Sequence, residues 1–150
     1  MNFRVNIIVA LAIFVVSAIH TSDFEQAIDT IQIRKTAMQE LWIRIKRLSP
    51  YVELKEEVDY SKDIAEQDAK EIQDLLKKTK ILWPRNSNLS GKGYTNATPA
   101  VWALPDYFKN LYAKAELSAD DLSSSIKNDD IDATAIAMCN LGNACGSCHA

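Results

Sequence analysis

Apolar residues recur at three- and four-residue intervals along most of the chain, which is the pattern of helices that bury one side. The first such stretch predicts a helix over about residues 24–48, with capping residues at 21–23 and a stop at Pro50. Its apolar positions are Phe24, Ile28, Ile31, Met38, Leu41, Trp42, Ile45 and Leu48. A second helix is predicted from Ser61 to about Leu82, with a charged, solvated side.

The second half of the chain predicts two further helices. One follows Pro105 and runs to about Ser125, and the other starts near Asp132, after a turn at residues 128–130. The buried side of the first carries Phe108, Leu111, Tyr112, Ala115, Leu122 and Ile126. No strand-like alternation and no repeat is found, so the sequence predicts an all-α fold, an antiparallel four-helix bundle with a cofactor between its helices.

The connection between the second and third predicted helices, residues 83–96, is rich in Pro, Gly, Asn and Ser. It is long for a loop without secondary structure in a compact domain. Its length indicates a functional role, such as covering one edge of a ligand. Trp83, Tyr94 and Trp102 are expected to pack around that edge or around the end of the bundle.

The N-terminus has the features of a secretory signal peptide. Arg4 precedes an apolar run from Val5 to Ile19, and small residues stand at 16–18. The run is short for a bilayer span, so we predict cleavage after Ala18 and a mature domain of residues 19–150. A retained membrane anchor is the alternative.

The charge of the chain narrows the classes of partner. The formal net charge is −3, and removal of residues 1–18 takes away one basic residue and no acidic one, which makes it −4. An acidic surface suits a soluble redox partner with basic patches. No basic run with interleaved aromatic residues occurs, so the sequence predicts no binding to nucleic acid.

The most specific motif stands at the end of the sequence, Cys145-Gly146-Ser147-Cys148-His149-Ala150. Cys-x-x-Cys-His is the signature of covalent haem attachment, in which two thiols bond the porphyrin and the histidine binds the iron. On a helix, residues three and four positions apart share one face. The motif therefore predicts one covalent haem c per chain, with His149 as axial ligand of the iron.

Other chemistry is less well supported by the residues. A redox dithiol would need a strand–helix–strand context, and a zinc site from Cys139, Cys145, Cys148 and His149 would strain the last two, which are adjacent. Cys139 is predicted to be a buried core residue. No catalytic carboxylate pair, Ser/His/Asp set or phosphate loop is recognisable, and His20 is the one other histidine, so we predict that the protein is not an enzyme.

The order of motifs resembles the class II cytochromes c, and the cytochromes c′ in particular. The resemblance rests on Arg34-x-x-x-Met38 in the first helix, Pro99-x-x-Trp102 with Phe108 downstream, and the terminal haem motif. It implies thioether bonds to Cys145 and Cys148 and a five-coordinate iron held by His149. It also implies that Met38 faces the distal side of the iron and that Arg34 lies near a haem propionate.

The resemblance further implies a periplasmic homodimer that transfers electrons, binds small gases such as NO and CO, or does both. Alternatives stay open at this point. Met38 is either a core residue, a cover over an open iron site, or a sixth ligand in a low-spin electron-transfer cytochrome. Arg34 is alternatively a solvated helix residue. A protein of another class, an exported helical interaction module, would use the Cys pair for a disulfide or for zinc.

Overall fold

The structure is a computed structural model that describes residues 3–52 and 61–149, with side chains for residues 23–50 and 61–149. Its helices are α1 (Phe3–Val52), α2 (Lys62–Lys80), α3 (Ala100–Ala103), α4 (Pro105–Lys127) and α5 (Ile131–His149), with a short 3₁₀ turn at Arg85–Ser87. The predicted all-α fold is confirmed. The predicted signal peptide, residues 1–18, lies outside the described side chains. Within the described residues, no helix is both long and apolar enough to cross a membrane.

The first helix is longer than the sequence predicts at both ends. Residues 21–23 do not cap it, because α1 already runs through them, and Pro50 does not stop it, because α1 continues to Val52. A proline inside a helix removes one backbone hydrogen bond and crowds the preceding turn. Pro50 lies in the last turn of α1, where few further bonds depend on it, so the helix ends just beyond it.

The other helix boundaries follow local signals in the sequence. The hydroxyl of Ser61 accepts from the backbone N of Ile64 at 3.4 Å and caps α2, as predicted. Pro105 occupies the first turn of α4, where its missing N–H costs nothing. Between α4 and α5, Asp129 has a left-handed φ of 54°, and Asp130 Oδ1 accepts from the Ala133 N at 2.9 Å.

The core lies where α2 packs against α1 and α4, and where α4 packs against α5. Its fully buried members come from all four long helices: Leu48, Ala65, Ala69, Ile72, Ala119, Leu122, Ile126 and Leu141. The contact between α1 and α5 is far less extensive than that between α4 and α5. The bundle is therefore least tightly closed along the side where α1 faces α5.

Several apolar residues that the sequence predicts to be buried are exposed instead. Trp42 is 57% exposed. Cys139 is exposed as well, so its prediction as a core residue is wrong. The buried positions of α5 are Thr134, Ala137, Leu141 and Ala144. Cys139 is two residues, about 200°, from both Ala137 and Leu141, and so lies on the opposite side of the helix. Phe24 is also exposed.

The connection between α2 and α3 is ordered around a small apolar cluster. Leu89 from this connection is buried against Ala27 and Ile31 of α1. Gly91 and Gly93 have φ values of +72° and +82°, a conformation that residues with a side chain rarely adopt. They turn the chain back, so that Ser90 and Thr95 form an isolated β-bridge. The connection is thus packed onto the first half of α1.

Candidate haem site

The haem motif occupies the last turns of α5, which remains helical to His149. Cys145 is half-buried and packs against the core, whereas Cys148 and His149 are exposed. Because the three residues are separated by three and four positions, the helix places them on one side. A Cβ built on Gly146 would meet no atom within 4 Å, so the backbone between the two cysteines borders open space.

Both cysteines of the motif hold their protons more strongly than an ordinary thiol. Burial raises the pKa of Cys145, and the neighbouring Cys148 raises it further. Burial also raises the pKa of Cys148. Both side chains are therefore thiols at neutral pH, and neither has the depressed pKa that marks the attacking cysteine of a redox dithiol. All three cysteines of the chain are free, so the structure contains no Cys145–Cys148 disulfide.

Four aromatic residues, Trp83, Trp102, Phe108 and Tyr112, form an aromatic cluster that leads from the connection after α2 to α4. The ring centroids of Trp83 and Phe108 are 4.8 Å apart, and those of Phe108 and Tyr112 are 5.2 Å apart, both with edge-to-face geometry. Trp102 lies 6.0 Å from Trp83, and its indole N–H donates to the Trp83 carbonyl at 3.2 Å. The cluster packs against the main core through Trp83, Phe108 and Tyr112.

Tyr112 connects the aromatic cluster to the haem motif. Its hydroxyl is buried and donates to Thr79 Oγ1 at 2.8 Å. Burial raises the pKa of Tyr112, and the thiol of Cys148 acts in the same direction, which places Cys148 close enough to influence the phenol electrostatically. The hydrogen bond to Thr79, the nearby Trp83 indole and the charge of Arg34 act in the opposite direction and lower the pKa of Tyr112. The sequence predicts Tyr112 as buried, but it gives no sign of this link.

Arg34 is deeply buried for a charged residue, with 3% of its surface exposed. Its guanidinium lies 4.0 Å from the ring centroid of Trp83 and donates to the Leu82 carbonyl at 2.9 Å. Burial lowers the pKa of Arg34, and the nearby Tyr112 acts against that shift. No carboxylate within the described part of the chain forms an ion pair with it. The alternative of a solvated helix residue is therefore wrong.

Met38 lies one helical turn after Arg34, is half-buried and packs against the main core. Its position on the apolar side of α1 agrees with the sequence pattern. Its role toward an iron stays a prediction. Tyr94, by contrast, forms an edge-to-face pair with Phe24 at 5.6 Å rather than joining the aromatic cluster.

The residues present fit a covalent haem. The motif offers two protonated thiols and an exposed imidazole on one side of the last turns of α5. The indole N–H of Trp83 is buried near the Tyr112 phenol, but it forms no well-directed hydrogen bond with the described residues. A buried donor of this kind is costly unless an acceptor is supplied, and a haem carboxylate is such an acceptor.

The residues fit zinc poorly. Across residues 23–50 and 61–149, no group of three His, Cys, Asp or Glu side chains could hold a metal ion. Cys139 is exposed on the side of α5 opposite Ala137 and Leu141. Its sulfur accepts a weak hydrogen bond from the side-chain amide of Asn143 at 3.7 Å.

The chain forms a bundle of packed helices, and the last of these, α5, ends in Cys-x-x-Cys-His. Together these two features define a helical c-type cytochrome. The chain matches the family model described as Cytochrome C′ over residues 29–150. It therefore belongs to the cytochrome c′ family, whose members carry covalent haem c and are typically haem proteins without enzymatic activity.

Individual relatives agree with this assignment. The chain is 31% identical over 96 residues to a cytochrome c-554 of Cereibacter sphaeroides, an alignment that covers 63% of this chain and 62% of that protein, less than two thirds of its length. A second cytochrome c-554 from that organism is 30% identical over 96 residues, covering 63% of this chain and 71% of the relative.

Solved structures share the fold. The chain is similar to the crystal structure of cytochrome c′ from Rubrivivax gelatinosus, with a TM-score of 0.73 and 24% identity over 82% of this chain and 93% of that one. It is also similar to a cytochrome c′ variant from Alcaligenes xylosoxidans in complex with nitric oxide, with a TM-score of 0.72 and 18% identity over 81% and 90% of the two chains.

Proposed function

We propose that this protein is a periplasmic cytochrome c′ that transfers single electrons and binds NO or CO at a five-coordinate haem iron. The observation that carries the proposal is the position of Cys145, Cys148 and His149 on one side of the end of α5, in a chain of the cytochrome c′ family. When bound, the haem supplies an iron that gains and loses one electron and can accept a small neutral ligand.

The chain's own residues have separate tasks in this proposal. Cys145 and Cys148 would hold the haem through thioether bonds: each S–H would add across one vinyl group, with the sulfur on one vinyl carbon and the hydrogen on the other, without net oxidation. Protonated thiols at neutral pH supply both atoms of that addition. His149 offers the imidazole nitrogen to the iron. Arg34 and the Trp83 N–H would donate to a propionate, a role supported by the burial of the guanidinium beside Trp83 and by the indole N–H that has no well-directed acceptor.

Met38 lies over the distal side in this proposal. A half-buried thioether on the apolar side of α1 would exclude water from that side of the haem. The relative from Alcaligenes xylosoxidans with bound nitric oxide supports gas binding. The test is the absorption spectrum of both oxidation states. A shift of the reduced spectrum on adding CO is expected, whereas a sulfur–iron charge-transfer band in the oxidised form would establish Met38 as a sixth ligand.

Covalent attachment is tested by mass and by pyridine haemochrome analysis of protein made together with a cytochrome c maturation system. One haem mass per chain is expected. Cys145→Ala and Cys148→Ala should each leave one thioether, and the double variant none, while the matched control Cys139→Ala should keep both. A colourless protein that carries zinc, or that has lost two protons to a disulfide, would instead support the interaction module.

Export and assembly complete the proposal. Proteins of this family are usually periplasmic. We expect residues 1–18 to be removed, so the intact mass of the exported protein should correspond to a chain that begins at Ile19. Retention of residues 1–18 would indicate a membrane anchor. A homodimer is expected, and light scattering of the haem-bearing protein tests it. We expect the redox partner to be a soluble protein with a basic surface.

A further inference from the structure

We propose that Arg34 is a positioning residue, which fastens the connection between α2 and α3 to α1 and so sets the tryptophan side of the haem site. This inference rests on the proposed function. It concerns the segment of residues 82–95, referred to below as the strap. The strap contains Trp83 and the 3₁₀ turn Arg85–Ser87, and it begins directly after α2.

Three hydrogen bonds join one guanidinium to three separate points of the strap. Arg34 Nη1 donates to the Leu82 carbonyl at 2.9 Å and to Ser87 Oγ at 3.3 Å, and Nη2 donates to Thr95 Oγ1 at 3.4 Å. These acceptors stand at the start, middle and end of the strap. A planar, forked group can reach all three at once, which the single ammonium of a lysine cannot do.

Two of the three acceptors, Ser87 and Thr95, also form hydrogen bonds with other residues of the connection. Ser87 is fully buried and its hydroxyl donates to the Pro84 carbonyl at 2.7 Å. Thr95 Oγ1 also accepts from the Ala97 N at 3.1 Å, and the Ser90 hydroxyl donates to the Ala97 carbonyl at 2.6 Å. Ser87 and Thr95 thus each have a hydrogen bond within the connection that does not depend on Arg34, and the guanidinium joins these two points to α1.

The face of the same guanidinium packs on the ring of Trp83 and so fixes the position of that ring. It lies 4.0 Å from the Trp83 ring centroid and 5.9 Å from that of Trp102. Trp83 in turn contacts Phe108, which contacts Tyr112 beside the haem motif. Arg34 therefore influences the haem site through the ring of Trp83. This influence does not require the guanidinium to bind a propionate.

Trypsin provides the first readout, because Arg85 and Lys92 are exposed cleavage sites within the strap. In the haem-bearing protein, Arg34→Gln should raise the rate of cleavage after these two residues by at least roughly tenfold, because the loss of even one of the three hydrogen bonds of this charged group corresponds to about that factor. Fragment masses identify the sites. The matched control is Lys35→Gln, which removes one exposed positive charge from the same turn of α1 and should leave cleavage unchanged.

The double variant Ser87→Ala/Thr95→Val separates positioning from direct charge. It removes two strap acceptors, keeps Arg34 and changes no charge. We expect faster cleavage of the strap and a lower haem reduction potential than in the parent, because water that enters beside Trp83 favours the ferric form. Urea unfolding of each variant shows whether the bundle is intact. Arg34→Lys should restore the charge but not the protection from trypsin.

Two outcomes would overturn the proposal. If cleavage of the double variant and of Arg34→Gln equals that of the parent, Arg34 does not hold the strap. If cleavage rises in the double variant but the reduction potential is unchanged, the strap does not border the haem. Absence of haem from the parent protein would contradict the proposed function instead, and it is detected separately by pyridine haemochrome analysis.

Discussion

The ion pair between α1 and α2 allows a prediction whose magnitude follows from burial. The Asp68 carboxylate is fully buried and accepts two hydrogen bonds from Arg47, whose side chain is 43% exposed. Arg44 Nε lies 3.8 Å from the same carboxylate and 2.5 Å from Glu71 Oε2. The two partners of the main pair thus have very different access to water.

This asymmetry decides which substitution costs more. Arg47→Met takes two charge-assisted donors from a carboxylate that water cannot reach, a change that costs about 3–5 kcal/mol. Asp68→Asn keeps the volume and one acceptor, and it leaves a guanidinium that can turn toward water, so we expect a loss of about 2–3 kcal/mol. The double variant should cost less than the sum of the two single variants, because the residues contact each other.

The assay is urea unfolding of the haem-bearing protein, followed by circular dichroism, with the free energies extrapolated to water. The control is Lys70→Met, which breaks an exposed pair with Asp74 on the surface of α2 and should leave the unfolding curve unchanged. If Asp68→Asn costs more than Arg47→Met, or if the two losses simply add, the explanation by unequal burial is refuted.

Three further predictions follow from burial at single residues. Leu141→Ala should lower the free energy of unfolding by about 2–5 kcal/mol, because Leu141 is fully buried. Ile136 is 63% exposed, so Ile136→Ala should change that free energy little. Equal losses of the two variants in urea unfolding would contradict the packing of α5. A thiol titration of native, haem-bearing protein should find one reactive group, the exposed Cys139, and a count of three would show that no thioether has formed. The pKa of Tyr112 is raised above 10.0, mainly by burial, so the unfolded state loses the phenol proton first and stability should fall as pH rises above that value. Tyr112→Phe should remove that part of the pH dependence, and an identical alkaline profile would show that the phenol is not buried.

The sequence alone determined the helical class, most of the helix boundaries and the chemistry of the haem motif. Local signals were sufficient for these features. The Ser61 hydroxyl caps α2, Pro105 opens α4, and the turn at residues 128–130 ends it, each through interactions within a few residues. The spacing of Cys145, Cys148 and His149 depends only on the helix repeat, so the pattern could be interpreted without a tertiary structure.

Only the tertiary structure decided which apolar residues at the edges of the helix faces are buried, and what Arg34 contacts. Cys139 and Trp42 are apolar enough for a core, but their burial depends on where neighbouring helices pack, which periodicity with many apolar positions does not specify. Arg34 meets acceptors 48 to 61 positions away in the chain. Such long-range contacts exist only after the strap folds onto α1, because no local rule relates residues so far apart.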